Sequence, residues 1–248
     1  MNKIELISEI KLLLALVAEK TTMLADSVME IDVNEYTNPS QFALEQSTLF
    51  RDYAQFVGPS CLIPNNGDYF AFDDTGIPIL IVRGDDGKLK AFINICSHRG
   101  APLNEACFGH AKKSRMFSCP YHGWSYNLDG ELIGVPFGKQ GFDTIDKATL
   151  GLKPLQVEEK YGMILVMPNP DKCFDIDEVL SGVNERSKGF GFDNHYHLGQ
   201  KQVFTDFSWK LNMDTFHEYY HFEFLHPESI ATMAYSNIAT YHQFGIRQ

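Results

Sequence analysis

Cys96-Ser97-His98-Arg99-Gly100 and Cys119-Pro120-Tyr121-His122-Gly123-Trp124 are the two stretches whose reading decides the fold. Each follows a short apolar run, Phe92–Ile95 in the first case and Met116–Ser118 in the second, that reads as a β-strand. Each sets one thiol and one imidazole on the loop leaving its strand. Each closes on a glycine, which lets backbone come close to a bound group. Two Cys and two His are also enough for tetrahedral zinc. Their order argues against it. Small zinc units pair Cys with Cys and His with His along the chain, whereas both loops here are mixed and belong to a longer β-rich region.

Mixed loops suit a [2Fe–2S] cluster of the Rieske type, in which one iron takes two thiolates and the other two imidazoles. Neutral His in place of anionic Cys raises the reduction potential. Cys96, His98, Cys119 and His122 are the candidate ligands. Pro120 stiffens the second loop, and Tyr121 and Trp124 are candidates to keep water away.

Outward from these loops, short β-rich runs alternate with turns. The runs are Tyr69–Phe72, Ile77–Val82, Leu89–Ile95, Arg115–Ser118, Trp124–Tyr126, Glu131–Ile133 and Met163–Met167; the turns include Asp73-Asp74-Thr75-Gly76 and Asn127-Leu128-Asp129-Gly130. This spacing predicts a small antiparallel sandwich or barrel, ending at the boundary signal Pro168-Asn169-Pro170. Upstream, residues 3–30 read as an amphipathic helix packed on its own protein or a neighbouring subunit, and Asn38-Pro39 starts a second helix. Downstream come a strand-like stretch, Gln202–Phe207, and a helix from about Lys210 to His226. Gly189-Phe190-Gly191 lacks the third glycine of a dinucleotide loop. The expected class is α+β, divided into N-terminal helices (1–52), the cluster-bearing β domain (53–168) and a further region (169–248).

The bulk numbers narrow the function. A net charge of −11 over 248 residues, with no extended Lys/Arg cluster, argues against a nucleic-acid partner. Leu12–Ala18 is too short to cross a bilayer and lacks signal-peptide flanks. Five widely spaced cysteines suit metal or core use in a reducing cytoplasm better than a disulfide framework.

A second constellation lies between Trp209 and Pro227. On a continuous helix Asp214, Glu218 and His221 share one face, and His226, just before Pro227, can turn back to the same metal. His217-Glu218-Tyr219-Tyr220-His221 also fits the H-E-x-x-H pattern of zinc proteases, in which His217 would be a ligand and Glu218 a base. On the residues alone both readings stay open.

Together these motifs resemble the Rieske non-haem iron oxygenases that hydroxylate aromatic rings, in their large (alpha) subunit, from about Glu35 onward. The resemblance implies a Rieske domain followed by the beginning of a helix-grip-like catalytic domain. It implies a mononuclear Fe(II) at His221 and His226, which activates O2, with His217 on another face. It also implies Glu218 as a bridge from His221 to His122 of an adjacent subunit, where many members have Asp. Electrons would come from NAD(P)H through a separate reductase, with or without a ferredoxin. The assembly would be a ring, most often a trimer, with or without a small beta subunit. The segment between His98 and Cys119, with Cys107 and His110, is longer than the family pattern and is expected to be a surface loop. The family's carboxylate ligand would lie past Gln248, so the sequence is either a fragment, the favoured reading, or a short protein in which Asp214, or less plausibly Glu223, substitutes. A ring substrate is the default and a quaternary amine the alternative. A Rieske electron carrier without oxygenase activity is the rival function. With the family's sheet missing, Leu211, Met213, Phe216, Phe222 and Leu225 are expected to lack cover.

Overall fold

The computed structural model describes residues 3–104, 108–111 and 115–241. Helix α1 (Lys3–Glu19) leads to the short α2 (Asn34–Thr37), α3 (Pro39–Ser47) and α4 (Leu49–Asp52). Eleven strands follow: β1 (Gln55–Pro59), β2 (Asp68–Phe72), β3 (Ile79–Arg83), β4 (Leu89–Ile93), β5 (Phe108–His110), β6 (Met116–Ser118), β7 (Ser125–Asn127), β8 (Leu132–Gly134), β9 (Pro154–Leu155), β10 (Val157–Lys160) and β11 (Met163–Val166). Between β8 and β9 lies the one-turn α5 (Gly138–Gly141), and after β11 come α6 (Ile176–Val179), α7 (Asn184–Phe190), α8 (Trp209–Phe216) and α9 (Phe222–Leu225).

The chain divides into two compact units, residues 42–180 with 190–199, and residues 1–41 with 181–189 and 200–248. The first unit holds three antiparallel sheets with strand orders β5-β2-β3-β4-β9, β1-β11-β10 and β6-β7-β8. Its centre is β3. Alternate side chains of a strand point to opposite faces, and both faces of β3 are covered. Leu80 and Val82 enter one core with Phe92, Phe117, Trp124 and Tyr126. Ile79 and Ile81 enter another with Val57, Phe70, Ile164 and Val166. The first core also takes up Cys96 and Cys119, so both loops are anchored in packed side chains.

The second unit is thinner. Among its described residues only Leu16, Ser187 and Ala239 are buried. Residues 22–23 fasten to Ala239 through Met23 N–H donating to the Ala239 carbonyl at 3.2 Å and through Thr22 Oγ1, which exchanges hydrogen bonds with the Ala239 backbone.

Several expectations are corrected. The first helix ends at Glu19, short of residue 30, because Lys20 turns left-handed (φ 55°) and Thr21 N–H reaches back to the Leu16 carbonyl. The helix expected through His226 stops at Phe216. Past that point Glu218 accepts from the backbone N–H groups of Tyr220 and His221, which a continuous helix would have used internally. Gln202–Phe207 forms no strand: no described segment pairs with it, and Phe204 is 86% exposed. Phe108–His110, expected in a surface loop, is instead an edge strand paired with β2. No described helix is long and apolar enough to cross a membrane.

Candidate metal centres

The two Cys–His loops share one hydrogen-bond frame. In the first, Cys96 N–H donates to the Ala101 carbonyl at 2.8 Å and Gly100 N–H to the Cys96 carbonyl at 2.9 Å. In the second, Cys119 N–H donates to the Trp124 carbonyl at 2.8 Å and Gly123 N–H to the Cys119 carbonyl at 2.9 Å. Gly100 and Gly123 are both left-handed, at φ 75° and 72°. A side chain would be strained at either place, and a Cβ on Gly123 would also press on Pro136. The frame holds Cys96 and Cys119 at 2% and 4% exposure and sets the rings of His98 and His122 at 4.7 Å.

The two imidazoles differ in their cover. His98 is stacked on the buried Trp124 at 4.7 Å and 6°, with Phe142 edge-on at 5.7 Å. Burial, helped by the neighbouring His122 and Arg99, holds its pKa below the ordinary value. His122 packs on Tyr121 at 3.8 Å and is exposed. Tyr126, which sequence reasoning passed over, is fully buried beneath the first loop. Its hydroxyl accepts from Ser97 N–H at 3.1 Å and lies 3.3 Å from Cys96 Sγ, a contact in which either group can donate and in which the hydroxyl must be the donor once the sulfur is a thiolate. Burial and that sulfur contact push its pKa up to about 12. Phe142 was also missed. Its position far along the chain from the ligand motifs gave no signal, whereas Tyr126 lies in the strand leaving the second loop.

In the other unit, His221 and His226 have ring centroids 5.5 Å apart. Glu218 holds the His221 ring through Nδ1, leaving Nε2 as the atom free to meet a metal. Burial would raise the Glu218 carboxyl, but hydrogen bonds from the His221 ring and from the Tyr220 and His221 amides prevail and lower it. His217 turns away, its Nδ1 2.7 Å from the Met213 carbonyl at the end of α8. With the helix broken there, the single helical face that H-E-x-x-H requires is not formed. Asp214 also leaves the expected face: it accepts from the Tyr36 hydroxyl at 2.7 Å, a bond that raises the Tyr36 pKa. Glu223 is exposed. Among the described residues no three His, Cys, Asp or Glu side chains gather for one metal ion. His110 lies on β5, bonded to Asp68 at 2.6 Å, and Cys107 falls outside the described residues.

Residues 54–153 match the family model described as the Rieske [2Fe-2S] domain. That stretch of the chain is a Rieske domain. Its relatives include the glycine betaine monooxygenase oxygenase subunit of Chromohalobacter salexigens, 33% identical over 80% of this chain and 43% of the relative. They also include the large oxygenase component of a naphthalene 1,2-dioxygenase system from Ralstonia sp., 38% identical over 55% of this chain and 29% of the relative. Among solved structures, the quaternary ammonium Rieske monooxygenase CntA aligns with TM-score 0.71 and 28% identity over 79% of this chain and 53% of its own. The chain thus spans about half the length, or less, of the relatives it matches.

The Rieske site fits its group on its own chemistry. His98 Nδ1 is buried and has no hydrogen-bond partner, a costly state for an imidazole nitrogen unless a metal meets it. Two buried thiols stand beside it without a disulfide. The histidine pair could supply two donors of a two-His, one-carboxylate set; among the described residues no third His, Cys, Asp or Glu gathers with it for one metal ion.

Proposed function

We propose that this chain works as, or within, the large subunit of a Rieske oxygenase that hydroxylates an organic substrate. Cys96 and Cys119 would hold one iron of the cluster, and His98 and His122 the other. His221 and His226 would hold a mononuclear iron. Once bound, the cluster supplies single electrons and the mononuclear iron supplies O2 activation. The single observation behind the reading is the pair of mixed Cys–His loops built on one hydrogen-bond frame, with His98 Nδ1 left unpartnered between them.

The chain's own side chains have defined tasks in this scheme. Trp124 and Phe142 keep water from His98. Tyr126 directs a proton at Cys96 Sγ. Exposed His122 is the ligand a partner can reach. Glu218 orients His221 by accepting its Nδ1–H, and the same carboxylate is the proposed bridge to His122 of a neighbouring subunit in a trimer. Electrons would arrive from NAD(P)H through a cytoplasmic reductase, directly or by a ferredoxin. A small beta subunit would be the further partner in an assembly of the two-subunit type.

For the substrate we infer a methylated ammonium compound rather than the aromatic ring first expected. The relatives named for glycine betaine and carnitine align over 80% and 77% of the chain, and the naphthalene relative over 55%. Glu rather than Asp at position 218 favours the same choice, because it resembles those enzymes.

The test is iron and sulfide analysis of protein purified without air, followed by EPR after dithionite reduction. About two irons with two sulfides per chain, and a mixed Cys/His cluster signal, are expected for the cluster alone. A further iron supports the oxygenase centre, while its absence leaves the electron-carrier reading. Zinc without sulfide would sink both.

A further inference from the structure

α1 does more than lead into the fold. Four of its side chains, Ile10, Leu13, Leu14 and Val17, form one wall of a cavity of about 520 Å³. That lies within the range of sites that take small organic ligands, roughly 300–1,000 Å³. The opposite wall comes from the segment that carries the histidine pair, and its aromatic members are Tyr219, Phe222 and Tyr235. Tyr219 and Phe222 meet edge to face at 5.3 Å, making an aromatic corner. Phe222 also stands at 5.0 Å and 87° from the His221 ring. A ligand in the cavity would therefore sit one ring away from the proposed iron position. At the edge, the Glu9 carboxylate of α1 accepts from Thr240 Oγ1, and Thr240 lines the cavity.

We propose that this cavity binds the methylated ammonium end of the substrate, with α1 as the wall that retains it; the ligand class rests on the function proposed above. The methyl groups would lie on the aliphatic side chains of α1. The charge would face the aromatic rings, whose faces attract cations, with the Glu9 carboxylate at the rim. An apolar wall alone would take any small hydrocarbon. The aromatic corner and the carboxylate are what give preference to a cation.

Calorimetric titration of the full chain, purified without air, tests the proposal with choline and with its uncharged isostere 3,3-dimethylbutan-1-ol. Choline is expected to bind at least about fivefold more tightly, the cation–aromatic contribution at a half-open site. Tyr219→Leu takes one ring out of the aromatic corner while keeping apolar bulk, and should remove most of that preference. Leu14→Trp adds a ring from a position 62% exposed, where folding is not at risk, and should weaken both ligands at least about fivefold by filling the cavity. Equal binding of choline and the isostere by the unaltered chain would overturn the cation site. Unchanged binding by Leu14→Trp would overturn the α1 wall, and absence of heat with both ligands would overturn the site itself. The iron count and EPR signal, read on the same samples, report separately on the oxygenase reading, so failure of the cavity and failure of that reading are distinguishable.

Discussion

The two units of this chain treat apolar side chains in opposite ways. In residues 42–180, β3 is covered on both faces, and two cores meet along it. In the unit made by residues 1–41, 181–189 and 200–248, Leu211, Phe216 and Leu225 are 48%, 75% and 65% exposed. The difference lies in cross-strand pairing. A strand paired on both sides brings its neighbours' side chains to within contact distance, whereas α8 and α9 have no described sheet to lie on. The Rieske loops are consequently set by packing. His221 is set by local hydrogen bonds to the Glu218 carboxylate, and such a site depends on whatever covers its apolar face.

The sharpest way to break this comparison is to remove a ligand from the better-packed unit. Cys119→Ser should abolish the cluster, read as loss of sulfide and of visible absorbance, because Cys119 is 4% exposed and anchors the second loop. Retention of a full cluster would refute the ligand assignment. Next in size is a pair of truncations. Leu80→Ala, at a fully buried position on β3, should cost about 2–5 kcal/mol in chemical denaturation. Leu211→Ala, on exposed α8, should cost less than about 0.5 kcal/mol. Similar costs at the two sites would erase the contrast between the units.

How far the sequence carried follows the same division. The cluster loops and the strands β2, β3 and β4 were legible because short β-rich runs and turn residues are local signals. β1 and β9 were not, since each depends on a distant partner: Gln55 pairs with Val166, and Ala91 with Leu155. β5 was hidden for the same reason, in a stretch lacking a strong alternation. Around the site, Cys96, His98, Cys119 and His122 announced themselves by type and spacing. Trp124 was expected as a shield and lies stacked on His98, but Phe142 reaches the same ring only through the fold. The helical periodicity from Lys210 onward misled because it ignores side-chain competition. Glu218 captures two amides and breaks the helix, and Asp214 then turns to Tyr36.

A third prediction bears on the thinner unit. Glu218→Gln keeps the size of the side chain but removes the charge that orients His221. Iron beyond the cluster's own should bind about 10–100-fold more weakly, as for other lost carboxylate–histidine contacts, while sulfide content stays unchanged. Parallel loss of both would mean that the variant acts through folding of the whole chain, and the independence of the two centres would fail.

The smallest effect expected is an acid-dependent one in the better-packed unit. Asp52, ending α4, accepts from Lys172 Nζ at 2.8 Å and from Asn169 Nδ2 at 2.7 Å. Lys172 first, then Asn169, holds the Asp52 carboxyl below its ordinary value. A carboxyl depressed in the folded chain binds its proton more readily when unfolded. Its contribution is therefore fully present above the ordinary carboxylate value and is lost as the pH falls through the lowered one. Asp52→Asn removes the charge that Lys172 answers. The variant should be slightly less stable than the parent near neutral pH, and the two should converge on acidification. Because Lys172 is half exposed, salt should shrink the neutral-pH difference as well. An offset constant across the pH range and insensitive to salt would show that Asp52 acts by packing and hydrogen bonding alone. The link between α4 and the segment after β11 would then be fixed by geometry rather than by charge.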